Sequence, residues 1–371
     1  MPEISQDYSV MGYQAAIAST VRMYRSGVRA VAWIGMPGTG KTFAKVYIAR
    51  AMGLQHIFQL KLSHHEVHEV AGLPVPDHSD KLTHQYPSAD MLPPLDLQGG
   101  LLFVHDEFTD HNVPQANFTC QLVEENGGHN FTLPSDTYHF LTGNRVSDRS
   151  GANRILTKEG NRISLMTVIP TVDELFQYGA ENGWNPVVLA FLKMHGMERI
   201  NPSDTREYAP TFFNSFDPSD PAQMLKPQFS SSRSLERLSK YCNYIDVNEP
   251  GLGEGDVVGD AASLVGSPTA VKFGAFRKIA NNMPDVDAIL AGRRVPMPDK
   301  MEVQWALALT LASRATKQNL EHAYDYLDRG PPEFLAVFAR IVYDTKMPGI
   351  AGPGINKMIG SVKLKQMFGG K

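Results

Sequence analysis

Val31-Ala-Trp-Ile-Gly-Met-Pro-Gly-Thr-Gly-Lys-Thr42 is a short apolar run that opens into Gly35-Met36-Pro37-Gly38-Thr39-Gly40-Lys41-Thr42. The second part fits the phosphate-cradling pattern G-x-x-x-x-G-K-[ST]. Small residues at that spacing let successive backbone N–H groups curl around an anion. The lysine then reaches the outer phosphates, the hydroxyl can ligate a divalent cation, and the following helix aims its positive end at the charge. The flanks suit that chemistry. Residues 30–34 read as a buried strand and residues 42–52 carry apolar side chains at helical spacing, so strand, loop and helix follow in the required order. The predicted nucleotide-binding set is Gly35, Pro37, Gly38, Thr39, Gly40, Lys41, Thr42 and Phe43, with Thr42 also a magnesium ligand.

Outward from the loop, residues 13–27 read as a helix stopped at Gly27, and residues 56–62 alternate apolar and polar as a strand does. Between residues 63 and 100 the pattern dissolves into His, Pro, Asp and Gly. That stretch is too long for a simple connection and predicts a functional insertion or hairpin. Leu101-Leu-Phe-Val-His-Asp106-Glu107 then places two carboxylates at the end of a buried strand, where open α/β sheets put their ligands. Asp106 is expected to hold the magnesium, and Glu107 to orient or deprotonate the water that attacks the outer phosphate. His105 reads as a core histidine. Residues 117–123 read as part of a helix ending at Gly127-Gly128, and residues 130–133 as a short strand. Tyr138-His-Phe-Leu-Thr-Gly-Asn144 is a further apolar strand ending in an amide, which in a nucleotide-hydrolysing sheet lies beside the same water.

Beyond residue 170 the signals are helical, at 172–182, 186–195, 232–244, 270–282, 301–316 and 333–344, with an irregular loop at 200–228 and a Gly-rich, mobile tail at 348–371. Strands alternating with helices and then helices alone predict an α/β core followed by an all-helical domain. The 371 residues include 42% hydrophobic and 20% charged side chains, with a net charge of −4, so no global field draws the chain to nucleic acid or anionic membranes. Cys120 and Cys242 stand alone without C-x-x-C spacing, the first residues lack a secretory pattern, and no window is apolar enough to span a bilayer. A reducing cytoplasm is the expected compartment.

The order Gly35 to Thr42, Asp106-Glu107, Asn144, then a basic segment and helices with an embedded Ser-Ser-Arg233-Ser, resembles the AAA+ ATPases and within them the MoxR-like branch. Val70-Ala-Gly-Leu-Pro-Val75 is similar to a Gly-Leu/Ile-Pro segment of that branch, and Val10-Met-Gly-Tyr-Gln14 to its N-terminal nucleotide contact. Gly143-Asn-Arg-Val-Ser-Asp-Arg-Ser-Gly-Ala-Asn-Arg154 resembles MoxR-type ATPases of bacteria and their phages. The resemblance implies a P-loop AAA+ core with a helical lid, divided at 1–170, 171–347 and 348–371, and a ring, usually a hexamer, with ATP and Mg²⁺ between subunits. It puts Asn144 at the sensor-one position and Arg233 at sensor two. The finger supplied to a neighbour is Arg162 or, second, Arg154. Insertions at 63–92 and 127–135 become client-contacting surfaces. It further implies a protein client, with a separate von Willebrand factor A (VWA) domain chain as one expected partner, since no D-x-S-x-S occurs in this sequence.

Two features are set aside. Ser63-His-His-Glu-Val-His-Glu69 misses the zinc-protease spacing H-E-x-x-H. The aromatic run at 208–216 lacks interleaved Lys or Arg, so it reads as lid packing rather than a nucleic-acid platform. Two alternatives to a protein-remodelling ATPase stay open: a nucleic-acid motor, marked by DNA-stimulated turnover, and a nucleotide-gated scaffold, marked by little turnover.

Overall fold

The computed structural model describes residues 9–128, 131–148, 152–206, 209–217, 219–220 and 227–346, together with Lys357, Met358, Gly360, Ser361 and Leu364. The chain forms two compact units, Met1–Thr171 and Val172–Lys371. Most of the tail expected to be mobile lies outside the described residues.

The first unit is an α/β layer structure. Its strands are β1 (Ser9–Met11), β2 (Ala30–Ile34), β3 (His56–Leu60), β4 (Leu73–Asp77), β5 (Leu82–Tyr86), β6 (Leu101–Asp106), β7 (Gly127–Gly128), β8 (Phe131–Thr132), β9 (Thr137–Gly143) and β10 (Ser164–Val168). Its helices are α1 (Tyr13–Arg25), α2 (Ala44–Met52), α3 (Val67–Ala71), α4 (Val113–Glu125) and α5 (Thr157–Gly160). Six strands make one sheet in the order β1-β10-β2-β9-β6-β3, and every neighbouring pair is parallel. The expected α/β P-loop core, a parallel sheet flanked by helices, is therefore present, and a helical region follows it.

The apolar runs explain this arrangement. All residues of β2 and β6 are buried, as strands covered on both faces must be. On one face Val31, Trp33, Leu102, Val104 and Phe140 pack with Ala16, Tyr24 and Ile48 of α1 and α2. Leu101 and Phe103 turn the other way, against Phe118 and Leu122 of α4. Because the strands are parallel, the ends of β2, β6 and β9 open on the same edge of the sheet. The turns that carry Gly35, Glu107 and Asn144 are brought together by that topology alone.

The long gap after residue 62 resolves into the antiparallel pair β4 and β5, with Leu73 opposite Tyr86 and Asp77 opposite Leu82. Of the second expected insertion, β7 and β8 form a two-residue ladder, and residues 129–130 lie outside the described ones. The helix expected from residue 42 starts instead as a 3₁₀ turn, Lys41–Phe43, before α2.

In the second unit, α6 (Val172–Glu181), α7 (Pro186–His195), α8 (Ser232–Asn248), α9 (Glu254–Val265), α10 (Ser267–Ala280), α11 (Val286–Leu290), α12 (Met301–Arg314), α13 (Leu320–Leu327) and α14 (Pro332–Lys346) surround one apolar core that includes Phe191, Leu235, Phe273, Leu307 and Phe338. The aromatic run belongs to this packing. Phe212 and Phe213 are buried in the core and Phe216 sits against Phe229, ring centroids 4.9 Å apart; Tyr208 lies outside the described residues.

Candidate functional site

The loop after β2 has the backbone that its glycines permit. Gly38 and Gly40 take φ of 75° and 79°, left-handed values that side chains resist. A Cβ on Gly35 would lie 2.5 Å from the carbonyl oxygen of Val168, so β2 and β10 approach too closely there for any other residue. Gly40 immediately precedes the turn Lys41–Phe43, and Tyr13 of α1 donates its hydroxyl to Gly40 O at 3.1 Å. The Tyr13 ring meets Trp33 edge-on, 5.4 Å between centroids.

Lys41 is buried, and its ammonium donates to Gly35 O at 2.9 Å, Met36 O at 2.6 Å and Asn144 Oδ1 at 3.2 Å. Those bonds tie the loop to the end of β9, the strand directly between β2 and β6. Thr39 closes the loop on itself through Met36 O, 2.9 Å away.

Asp106, the last residue of β6, gathers polar groups from two strands, the loop and the residue after β3. Thr42 Oγ1 donates to its Oδ1 at 2.6 Å and Thr142 Oγ1 at 2.8 Å, while Gln59 Nε2 donates to Oδ2 at 2.7 Å. Lys61 Nζ stands 3.6 Å from the same Oδ2. Burial works against the charge on this carboxyl, but the Thr42 and Thr142 hydroxyls and the Lys61 ammonium outweigh it and hold Asp106 below the usual carboxylate range. Thr42 and Asp106 thus offer adjacent hard oxygen donors, which is the ligand chemistry magnesium takes. Both belong to the set expected from sequence, and the donor types fit the ion.

Glu107 follows with φ 55°, a left-handed backbone that is costly for a glutamate and is characteristic of functional turns. Its side chain is 38% exposed, with Lys61 Nζ 3.2 Å and His64 Nε2 3.8 Å from Oε2. Lys61 loses some of its charge preference to desolvation, yet the carboxylates of Glu107 and Asp106 more than restore it and raise its pKa. Asn144 is fixed at both ends. Its amide oxygen faces Lys41, and its backbone N–H donates to Thr109 Oγ1 at 3.0 Å.

The structure therefore brings Gly35, Lys41, Thr42, Asp106, Glu107 and Asn144 to one edge of the sheet. Arg162 is exposed, its Nε 2.7 Å from Glu124 Oε2 and Nη1 3.0 Å from Lys158 O. Arg154 is exposed as well. Arg233 lies in the second unit, exposed on the first turn of α8 behind the capping residue Ser231. Gln59, Lys61, Thr109 and Thr142 escaped the sequence reading. Gln59 and Lys61 occupy the polar positions of an alternating strand, and Thr142 stands two places before Asn144, which are the signals that point to them. His105 is a core residue as expected, its Nε2 3.0 Å from Nδ1 of buried His139. In the His-rich stretch, His65 pairs with Glu69 at 3.3 Å.

No protein-family model matches this chain, and no curated protein matches it. Among solved structures the chain is similar to the RuvB Holliday junction branch migration motor of Thermotoga maritima, at 15% identity and a TM-score of 0.35 over 80% of this chain and 81% of that one. It is also similar to NtrX from Brucella abortus in complex with ADP, at 13% identity and a TM-score of 0.36 over 88% of this chain and 65% of that one. The architecture rests on the strand order and the loop geometry rather than on these likenesses. Among the described residues no helix is long and apolar enough to cross a membrane.

Proposed function

We propose that this chain is an ATP-hydrolysing AAA+ protein of the MoxR-like type, which assembles as a ring, expected to be a hexamer, and remodels or activates a protein partner. The observation that carries the reading is the convergence of the loop lysine, the Thr42–Asp106 oxygen pair, the Glu107 carboxylate and the Asn144 amide on the edge shared by three parallel strands. Phosphate-loop N–H groups and Lys41 would grip the β- and γ-phosphates. Thr42 and Asp106 would hold magnesium, whose charge, when bound, offsets that developing on the transferred phosphoryl group. Glu107, whose carboxylate stands 3.2 Å from the Lys61 ammonium, would orient the attacking water and take its proton. Asn144, anchored by Thr109, would hold that water from the other side. Arg162 is proposed to complete a neighbour's site, Arg154 being the second candidate, and Arg233 to sense the γ-phosphate.

A finger arginine supplied in trans raises turnover by about 10³ to 10⁵, so a ring is the form in which such a site works. The sequence resemblance supports a VWA-domain chain as one client and a bacterial or phage cytoplasm as the setting. The decisive experiment is Glu107→Gln. Nucleotide binding should persist while phosphate release disappears, and wild-type turnover in that variant would overturn the assignment of the base.

A further inference from the structure

Glu107 opens a 3₁₀ turn, Phe108–Asp110, that runs into His111. That turn is held from three directions. Phe108 is buried among Ala32, Ile34, Leu141 and Ile163. Thr109 is buried, accepts the Asn144 N–H through its hydroxyl and accepts the Asn153 N–H through its carbonyl at 2.6 Å. His111 O accepts from Asn153 Nδ2 at 2.8 Å. The remaining restraint is a buried pair in close contact without hydrogen-bond alignment: His111 Nε2 lies 2.9 Å from Glu159 Oε1, with side chains 5% and 0% exposed. Glu159 is committed on its other side too. Its Oε2 accepts the Leu156 N–H at 2.7 Å, capping α5, and its carbonyl accepts the N–H groups of Arg162 and Ile163, each at 3.0 Å.

A glutamate with no exposed surface is costly to bury unless it is paired and hydrogen-bonded. Here it faces a histidine four residues beyond the proposed hydrolytic acid. We infer that His111 and Glu159 are positioning residues: they brace the Glu107 turn against α5, so that Glu107 and Asn144 are held in register with the segment bearing Arg154 and Arg162. The inference rests on the reading of Glu107 as the hydrolytic acid. Among the described residues neither has a hydrogen bond or ion pair to the nucleotide loop, so the brace acts through the placement of Glu107 and not through binding.

The test compares full-length wild type, His111→Ala, His111→Gln, Glu159→Gln and Glu107→Gln. Turnover is read as phosphate release, affinity with a fluorescent ADP analogue, and folding from melting profiles. A misplaced acid costs catalysis rather than binding, so His111→Ala should lower kcat about 10- to 100-fold while nucleotide affinity stays within about two-fold. His111→Gln, whose amide can reach Glu159 Oε1, should recover most of the loss. If the alanine chain does not fold, Glu159→Gln, which keeps an acceptor for Leu156 N–H, must show the same split between kcat and affinity. A folded His111→Ala chain with wild-type kcat overturns the inference. So does a joint fall of kcat and affinity that His111→Gln does not reverse. Wild-type turnover in Glu107→Gln would instead remove the functional reading beneath it, whatever His111 does.

Discussion

Lys41 spends its ammonium on Gly35 O, Met36 O and Asn144 Oδ1, so the same group proposed to bind phosphate also fixes the loop to β9. Hydrogen bonds to a charged group contribute about 1.5–3 kcal/mol. Lys41→Met should therefore weaken nucleotide binding by about 10- to 100-fold, read by titrating a fluorescent ADP analogue; unchanged affinity would remove Lys41 from the anion site. Gly35 makes a separate point, because its constraint is steric. The Cβ of Gly35→Ala would sit 2.5 Å from Val168 O, a backbone atom that moves only if β10 moves. Overpacking of that kind costs about 1–3 kcal/mol, so the urea midpoint should fall even without nucleotide. The motif residues were legible because their chemistry is contiguous in the chain. Thr142 and Gln59 were not, since each is an ordinary strand residue until the parallel register sets it against Asp106.

Elements were legible where the apolar period was strong and uninterrupted. The strands read at 30–34, 101–104 and 138–142 match β2, β6 and β9 to within two residues at each end, and the helix at 186–195 reads directly, with Asn185 capping Val187 N–H and Pro186 at the first turn. Helix α9, beginning Glu-Gly-Asp-Val-Val-Gly-Asp, was hidden by its two glycines, and α11 and α13 are too short to establish a period. Strand β1 has three residues and exists only as a partner of β10. One buried amide shows how an element outside the motifs reaches the site. Gln115 of α4 completes the cap with Asn112 and donates to Leu62 O at 2.9 Å and His65 O at 2.8 Å, which secures the turn just beyond Lys61. Gln115→Leu removes both bonds; Leu62 O keeps the His65 N–H at 3.1 Å, whereas His65 O loses the Gln115 donor, at about 1–3 kcal/mol for a buried unsatisfied group. A drop of about that size in urea stability is expected, together with faster amide exchange at residues 62–65. Unaltered exchange there would show that the turn is held by other contacts.

Across the whole chain, the buried apolar clusters divide as the two units do: one contains only residues beyond 171, and the other three only residues before it. Separate cores predict separable unfolding, so a single stability figure will not describe this protein. The two transitions should also respond differently to acid. His139, in the first unit, is fully buried. Burial and then the Arg29 charge push its pKa down to about 3, and burial with the neighbouring histidines lowers His105 as well. An unfolded histidine titrates near 6.5. Between about pH 6.5 and 3 the unfolded chain therefore takes up a proton that the folded one refuses, so stability is complete above that window and falls as pH drops through it. At 1.36 kcal/mol per unit, His139 alone should cost the first unit about 2 kcal/mol by pH 5. In the second unit Asp217 is held down to about 2 by Arg206, so its contribution persists at pH 5 and is lost only below the ordinary carboxylate range. Urea unfolding at pH 7.5 and pH 5, followed by amide exchange in each unit, should show the first transition moving to lower urea more than the second. His139→Phe, which keeps an aromatic ring beside Phe103, should flatten that shift. If the shift persists undiminished in His139→Phe, the buried histidine is not its source.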